Sequence, residues 1–284
     1  MTKTSFIMVE NANIGYLFQR DYYEGLSVEI YDDKSKDKTK QASFFKEKND
    51  NIIKASKRKI QLETFFDDAA KFELRTIYPG LVTGIGMMHE TGMMGECKLG
   101  MAFDYSSGLP YIPGSSVKGL LRSMFPMKNK LVKKGDSKSI SIMKENRRYL
   151  KEILKEKCKL ELNDNGIDEL ATIIFDGKKS DGSFLPVYER DVFFDAQIEG
   201  DYSEKGFLGF DYITPHKDPL KNPNPIKFLK ILPNVKIVFR FKLNETQLSS
   251  SVSLIPEQKL AIFEEILKTV GIGAKTNVGY GQLK

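Results

Sequence analysis

Cysteine and histidine are scarce in this 284-residue chain, at two of each, and no apolar run approaches the roughly 18 residues that a membrane span requires. Cys97 and Cys158 lie far apart, and neither has a Cys or His at zinc-ligand spacing. That excludes a zinc finger or ribbon and a disulfide framework, and it points to a reducing compartment, the cytoplasm. The N-terminal residues MTKTSFIMVENANIGYLF show neither the continuous apolar core nor the small-residue cleavage site of a secretory signal. There is no repeated carboxylate set for a metal and no Gly-x-Ser-x-Gly turn, so no metal, no cofactor and no membrane partner is expected. The run AKT near the C-terminus is not a nucleotide-binding P-loop either. That motif needs glycine directly before its lysine and another five residues further back, where this chain has Ala274 and Thr269.

Charge is present in excess of one sign, +6 overall, and it is concentrated. Residues 34–59 carry ten basic and three acidic side chains, and residues 127–159 twelve and four. Such blocks fit a protein that follows a phosphate backbone, since each phosphate contact releases condensed counterions, and they equally fit two solvated lysine-rich faces.

Residues 1–71 read as an N-terminal extension packed on the core, with a helix around Ser43 to Ser56. Residues 72–284 read as the main domain, with a helical insertion at about 127–175. Six glycines between Gly80 and Gly100 mark a long irregular loop that also holds Met87, Met88 and His89. In GLPYIPGSSVKGLLRSMF, Pro110 and Pro113 hold the approach extended, and Gly114 or Ser115 caps a helix with Lys118 and Arg122 on one face. Helices are also expected at Ile142 to Cys158, with Arg147, Arg148, Lys151 and Lys155 on its polar side, and at Ile167 to Phe175. Strand-like pieces are expected at Asp191 to Ile198 and Phe207 to Ile213. Val235 to Leu243 has the cleanest period of two, one face core and the other basic. Pro256 opens a helix that turns Leu260, Phe263, Leu267 and Val270 inward and runs to about Val270. The fold class is α+β, a sheet with helices on one face in the manner of a ferredoxin-like domain.

Three features carry candidate chemistry, and each also has a purely structural reading. In GIGAKTNVGYGQ, glycines such as Gly271 and Gly273 expose amides that can meet phosphates, with Lys275 adding charge and Thr276 and Asn277 hydrogen bonds; the same pattern also makes a turn before a last strand. Ser115, Ser116, Lys118 and Arg122 at a helix start fit an anion site, as well as an ordinary helix opening. His89 beside Glu90 fits acid–base work on RNA or a structural contact, and His216 is within reach of Asp211 across a turn.

In their order, GLPYIPGSSVKGLLRS, FDYITPH followed by PNPIKFL, and GIGAKTNVGYGQ resemble the RAMP proteins of CRISPR–Cas systems. DYITPH with PNPIKFL narrows the resemblance to the sixth-subunit family of the type III-B Cmr complexes. The resemblance covers about Phe72 to the C-terminus. It implies a modified ferredoxin-like, RRM-like fold with insertions, and RNA lying near the C-terminal glycine loop and the helix opened by PGSS. It also implies CRISPR RNA, target RNA and other Cmr subunits as partners, with a place near the 3′ end of the CRISPR RNA between the repeating backbone subunit and the terminal head subunit. By position, Ser115, Ser116, Lys118 and Arg122, and Gly271, Gly273, Lys275, Thr276 and Asn277, match the family's RNA-facing motifs. GIGMMHETG occupies the loop where the backbone subunit carries a target-cleaving aspartate, and here it has none. This departure argues for holding RNA rather than cutting it, with His89, Met87 and Met88 as RNA contacts. Two alternatives stand beside that expectation: a RAMP-type endoribonuclease that processes CRISPR RNA with His89 as acid or base, and a protein scaffold whose basic blocks face solvent.

Overall fold

The alternation Val235, Ile237, Phe239, Phe241 builds the central strand of the main sheet. The computed structural model describes residues 11–35, 38–61, 69–86, 89–125, 137–214 and 225–284. Its main sheet contains β1 (Ala70–Arg75), β2 (Tyr111–Ile112), β3 (Val192–Phe193), β4 (Ala196–Ile198) and β7 (Lys236–Lys242). β7 pairs antiparallel with β1 on one edge, Phe72 opposite Phe239, and with β3 and β4 on the other. The C-terminal segment closes the far side of β1, where Arg75 and Lys284 exchange amide hydrogen bonds of 2.8 and 2.9 Å. The order is therefore C-terminal segment, β1, β7, β4, all antiparallel. With α3 (Gly114–Ser123) following β1 and α6 (Pro256–Val270) following β7, this is the ferredoxin-like succession. Phe263 of α6 packs on Phe241 and Phe193 at centroid separations of 5.5 and 5.7 Å, which places the core between sheet and helices.

The second face of β7 is not the basic surface its alternation predicts. Val238 and Arg240 are buried there, and Lys236 pairs with Glu73 and Glu199 at 3.2 and 3.1 Å. A central strand has neighbours on both edges, and their side chains close over it.

β3 and β4 are one strand interrupted by a bulge. Val192 and Phe193 face Lys242 and Phe241, whereas Gln197 and Ile198 face Val238 and Ile237, so the stretch from 193 to 197 spans one residue more than its partner. The bulge aims Asp195 at the start of α3, where the Gly114 amide donates to Oδ1 at 2.7 Å. Gly114, not a serine, is the first helical residue, and Pro113 rather than Gly114 or Ser115 is the flanking cap, without a side-chain bond of its own. A β-carbon at Gly114 would collide with the Phe193 carbonyl oxygen, so only glycine lets the helix approach the bulge. Asp195→Ala is expected to destabilise the fold by about 1–2 kcal/mol, the usual cost of a lost N-terminal cap, read as a lower urea midpoint.

Helix bounds also differ from the spacing. α2 (Thr39–Ala55) and α4 (Ser137–Cys158) begin earlier than expected. α5 (Asp164–Ala171) starts at its cap Asn163, which accepts from the Gly166 amide at 2.9 Å, and passes into a wider π-type turn over Thr172–Asp176 before left-handed Gly177 stops it. α6 turns Lys259, Ile262, Phe263, Ile266 and Leu267 inward, leaving Leu260 and Val270 only half-buried.

A hairpin of β5 (Leu208–Ile213) and β6 (Ile226–Ile231) lies beside the main sheet, and its second strand bridges to Leu81 and Leu99. The turn after α1 (Ile14–Gln19) and α2 clamp the glycine-rich stretch: the Tyr22 hydroxyl donates to Asn49 Oδ1 at 2.9 Å and accepts from the Cys97 amide at 2.7 Å, and Asn49 Nδ2 donates to the Gly95 carbonyl at 3.0 Å. Both cysteines are buried and unpaired with each other, and burial pushes the Cys97 thiol up to about 12. Among the described residues no helix is long and apolar enough to cross a membrane.

Candidate functional site

After α6 the chain runs back over residues 80–82. The amides of Ile272, Gly281 and Ala274 donate to the carbonyls of Gly281, Gly80 and Val82 at 2.8, 2.8 and 2.7 Å. Gly271, Gly273 and Gly281 all have positive φ, and a β-carbon on Gly273 or Gly281 would strike the carbonyl oxygen of Val82 or Ile272. These glycines therefore serve close backbone packing, and the amides of Gly271 and Gly281 are bonded to the carbonyls of Leu267 and Gly80 inside the protein. What faces outward is the turn between them. Gly273 and Asn277 are exposed, and Lys275 and Thr276 are half-buried.

Lys275 stands at a left-handed position with its ammonium 5.8 Å from the centre of the Phe228 ring, and it forms no ion pair with any described residue. Phe228 meets Tyr280 edge-on at 5.6 Å. The Tyr280 hydroxyl donates to Asp211 Oδ2 at 2.7 Å, and Lys230 Nζ reaches the same oxygen at 2.6 Å. Burial works against ionising Asp211, but the bonds from Lys230 and Tyr280 outweigh it and hold the carboxyl below its ordinary range; burial and that bond push the Tyr280 phenol up. The charge of Lys230 is thus compensated internally, while that of Lys275 meets no acidic partner among the described residues. DYI and IKFL, the two arms of the hairpin, meet GIGAKTNVGYGQ in space. Asp211 takes Lys230 and Tyr280 as partners; His216 lies outside the described residues, as do Met87 and Met88.

The first motif forms a separate surface. Ser115 and Ser116 are exposed on the opening turn of α3, whose Gly114 amide is already taken by Asp195. Lys118 lies 5.5 Å from the Phe193 ring centre without an ion pair among the described residues, whereas Arg122 is bound to Asp176 at 2.7 Å. Among the described residues no hydrogen bond, ion pair or ring contact joins 114–123 to 271–281. Lys118 and Lys275 are therefore two basic points on distinct elements.

His89 is not at a surface. It is 8% exposed, its ring lies between Phe18 and Tyr22 at centroid distances of 4.2 and 4.4 Å, and Nδ1 and Nε2 each sit 3.0 Å from a backbone carbonyl, of Cys97 and Phe18. Burial lowers its pKa. A ring enclosed in this way can neither touch bound RNA nor exchange a proton with it, which corrects both roles expected of His89. Five basic side chains of α4 are likewise compensated: Arg147 is buried against Asp164 and Asp168, and Arg148, Lys151, Lys155 and Lys157 pair with Glu152, Asp164, Glu161 and Glu265. Among the described residues no group of three or more His, Cys, Asp or Glu is placed to hold a metal ion.

Sequence reasoning missed Asp195, Asp176 and the pairing of Tyr280 with Asp211. The last pair was within reach, since both residues fall inside the three motifs. The two aspartates have no local signal, because each acts on an element distant in sequence.

A family model described as the RAMP superfamily matches residues 73–284. The CRISPR system Cmr subunit Cmr6 of Pyrococcus furiosus is 30% identical over 216 residues, 62% of this chain and 58% of that protein, so the match spans less than two thirds of the relative's length. A chain in the cryo-EM structure of the type III-B Cmr-beta bound to cognate target RNA superposes with a TM-score of 0.54 at 20% identity, covering 95% of this chain and 84% of that one. The crystal structure of Cmr6 from Pyrococcus furiosus gives 0.43 at 23% identity, covering 76% and 97%.

Proposed function

The chain belongs to the RAMP superfamily, whose model it matches over residues 73–284, and from that premise we propose that it is a non-catalytic RNA-binding and assembly subunit of a type III-B CRISPR RNA-guided, RNA-targeting complex. It works in the cytoplasm, near the 3′ end of the CRISPR RNA, between the repeating backbone subunit and the terminal head subunit. It grips the guide through phosphates, so that sequence is read by base pairing with the target and not by this protein.

The observation that carries this reading is Lys275. The family match runs through the loop 271–281, and Lys275 is a cation there with no acidic partner among the described residues. Lys118 is the second such cation, on α3, with Ser115 and Ser116 exposed beside it. Thr276 and Asn277 complete the loop's polar lip. The relative in Pyrococcus furiosus is a Cmr subunit, and the fold is shared with a chain of a Cmr assembly that holds target RNA. Two features speak against cutting: GIGMMHETG carries no aspartate, and His89 is enclosed by aromatic rings and backbone.

Co-expression with the other Cmr subunits and a CRISPR array tests this. The tagged chain is expected to pull down a ribonucleoprotein with CRISPR RNA of defined length, and the isolated chain to leave a labelled repeat RNA whole. Metal-independent cleavage by the isolated chain would overturn the non-catalytic assignment, and recovery of the subunits without RNA would favour a protein scaffold.

A further inference from the structure

Tyr105 is 96% exposed and Tyr16 46%, yet both rings border one cleft of about 580 Å³ lined also by Asn13, Gln19, Arg20 and Asp104, with Phe103 and Gly15 as its floor. Large aromatic side chains left in water stabilise nothing by burial, so their placement calls for a reason. Their backbones, moreover, are fixed. Asn13 Oδ1 accepts from the Tyr16 amide at 2.8 Å, and Nδ2 of the same residue donates to the Tyr105 carbonyl at 3.1 Å. The turn carrying Tyr105 is tied a second time, through Asp104 Oδ1, which accepts from the Ser107 amide and hydroxyl at 2.7 and 2.8 Å. A single asparagine therefore registers two exposed tyrosines against each other, reaching the second across 92 positions of sequence. The floor is equally defined, since α1 lies so close that a β-carbon on Gly15 would stand 2.9 Å from Phe103 Cβ.

From this geometry we infer that the cleft takes an unpaired base of single-stranded RNA, stacked on Tyr16 and Tyr105. The proposal rests on the RNA-binding reading above and adds a site that the three sequence motifs do not contain. Among the described residues no aliphatic side chain lines the cleft, so an aliphatic peptide anchor would find no matching surface and would leave the Gln19 carboxamide unmatched. A base offers a flat π-face to the tyrosines and a donor–acceptor edge to Gln19. Arg20 forms no ion pair with any described residue and stands ready for the attached phosphate, while the Asp104 carboxylate is occupied by Ser107. With one guanidinium beside one carboxylate the cleft attracts phosphate only weakly, and stacking supplies most of its affinity. That makes the site tolerant of base identity.

The test uses the full chain and a single-stranded RNA with 2-aminopurine at successive positions, following fluorescence quenching for stacking and anisotropy for affinity. Quenching at one or two positions is expected. Tyr16→Ala with Tyr105→Ala should abolish it and weaken binding about 5- to 100-fold, while Tyr16→Phe with Tyr105→Phe keeps both. Both rings are exposed, so the thermal midpoint of each variant should match that of the parent. RNA binding by the parent with quenching unchanged in the alanine variant would overturn the cleft and leave the RNA-binding reading standing. No RNA binding by the parent would overturn both. Loss of assembly with the other Cmr subunits, with quenching intact, would assign the cleft to a protein neighbour and overturn the proposal.

Discussion

Replacing Lys259 by alanine is expected to destabilise the protein by about 3–5 kcal/mol, roughly a fifth or more of the total stability of an ordinary domain. Lys259 and Asp191 form a 2.6 Å ion pair with side chains 1% and 3% exposed, joining α6 to the strand region before the bulge. Lys259 Nζ also donates to the Asn244 carbonyl at 2.6 Å, and Asp191 accepts from the Asn244 amide at 2.8 Å, so the pair anchors two segments at once. Burial pulls the lysine below its ordinary pKa, with Asp191 acting in the opposite direction. Removing the ammonium leaves a buried carboxylate with one remaining amide donor. Urea unfolding followed by circular dichroism checks the magnitude. Lys259→Met combined with Asp191→Leu should recover most of the loss, because apolar residues of similar volume replace such a pair at little cost. A change below about 1 kcal/mol in Lys259→Ala would mean that the pair is not the anchor described here.

Changing Lys118 and Lys275 together to alanine is expected to weaken RNA binding by roughly 10- to 100-fold, on the order of a tenfold loss for each charge-assisted contact. Arg122→Ala should do far less. Its guanidinium is committed to Asp176 and must break that pair before meeting a phosphate, and half-exposed pairs of this kind gain little by exchange. Among the described residues Lys118 and Lys275 meet aromatic faces, Phe193 and Phe228, and no acidic partner, so the stem is held without the charge being neutralised. The ranking of the three cations follows from structure; their sequence motifs treat them alike.

Much of the fold is legible in the sequence because it rests on periodicity. The alternation through Val235 to Phe241 does form the central strand, and Pro256 does open the helix that runs to Val270. The failures share one cause: a charged side chain shows its type in the sequence but not its partner. Nothing in the sequence marks Lys259 as buried until Asp191, 68 positions away, is seen to meet it. Arg147 and Arg240 read as exposed for the same reason. His89 needs Phe18, 71 positions earlier, to become a buried ring. The glycines of the terminal loop do signal a close approach, and the object approached in the fold is the protein's own segment 80–82.

If Lys118 and Lys275 each neutralise an RNA phosphate, the salt dependence of guide-RNA binding by the assembled complex must show it. Log affinity is plotted against log salt for the parent, for the Lys118→Ala, Lys275→Ala double variant and for Arg122→Ala. The slope should be shallower by about 1.4 in the double variant, about 0.7 for each single-strand phosphate that no longer meets its lysine, and unchanged in Arg122→Ala. Parallel lines for parent and double variant would contradict the assignment of both lysines to phosphates.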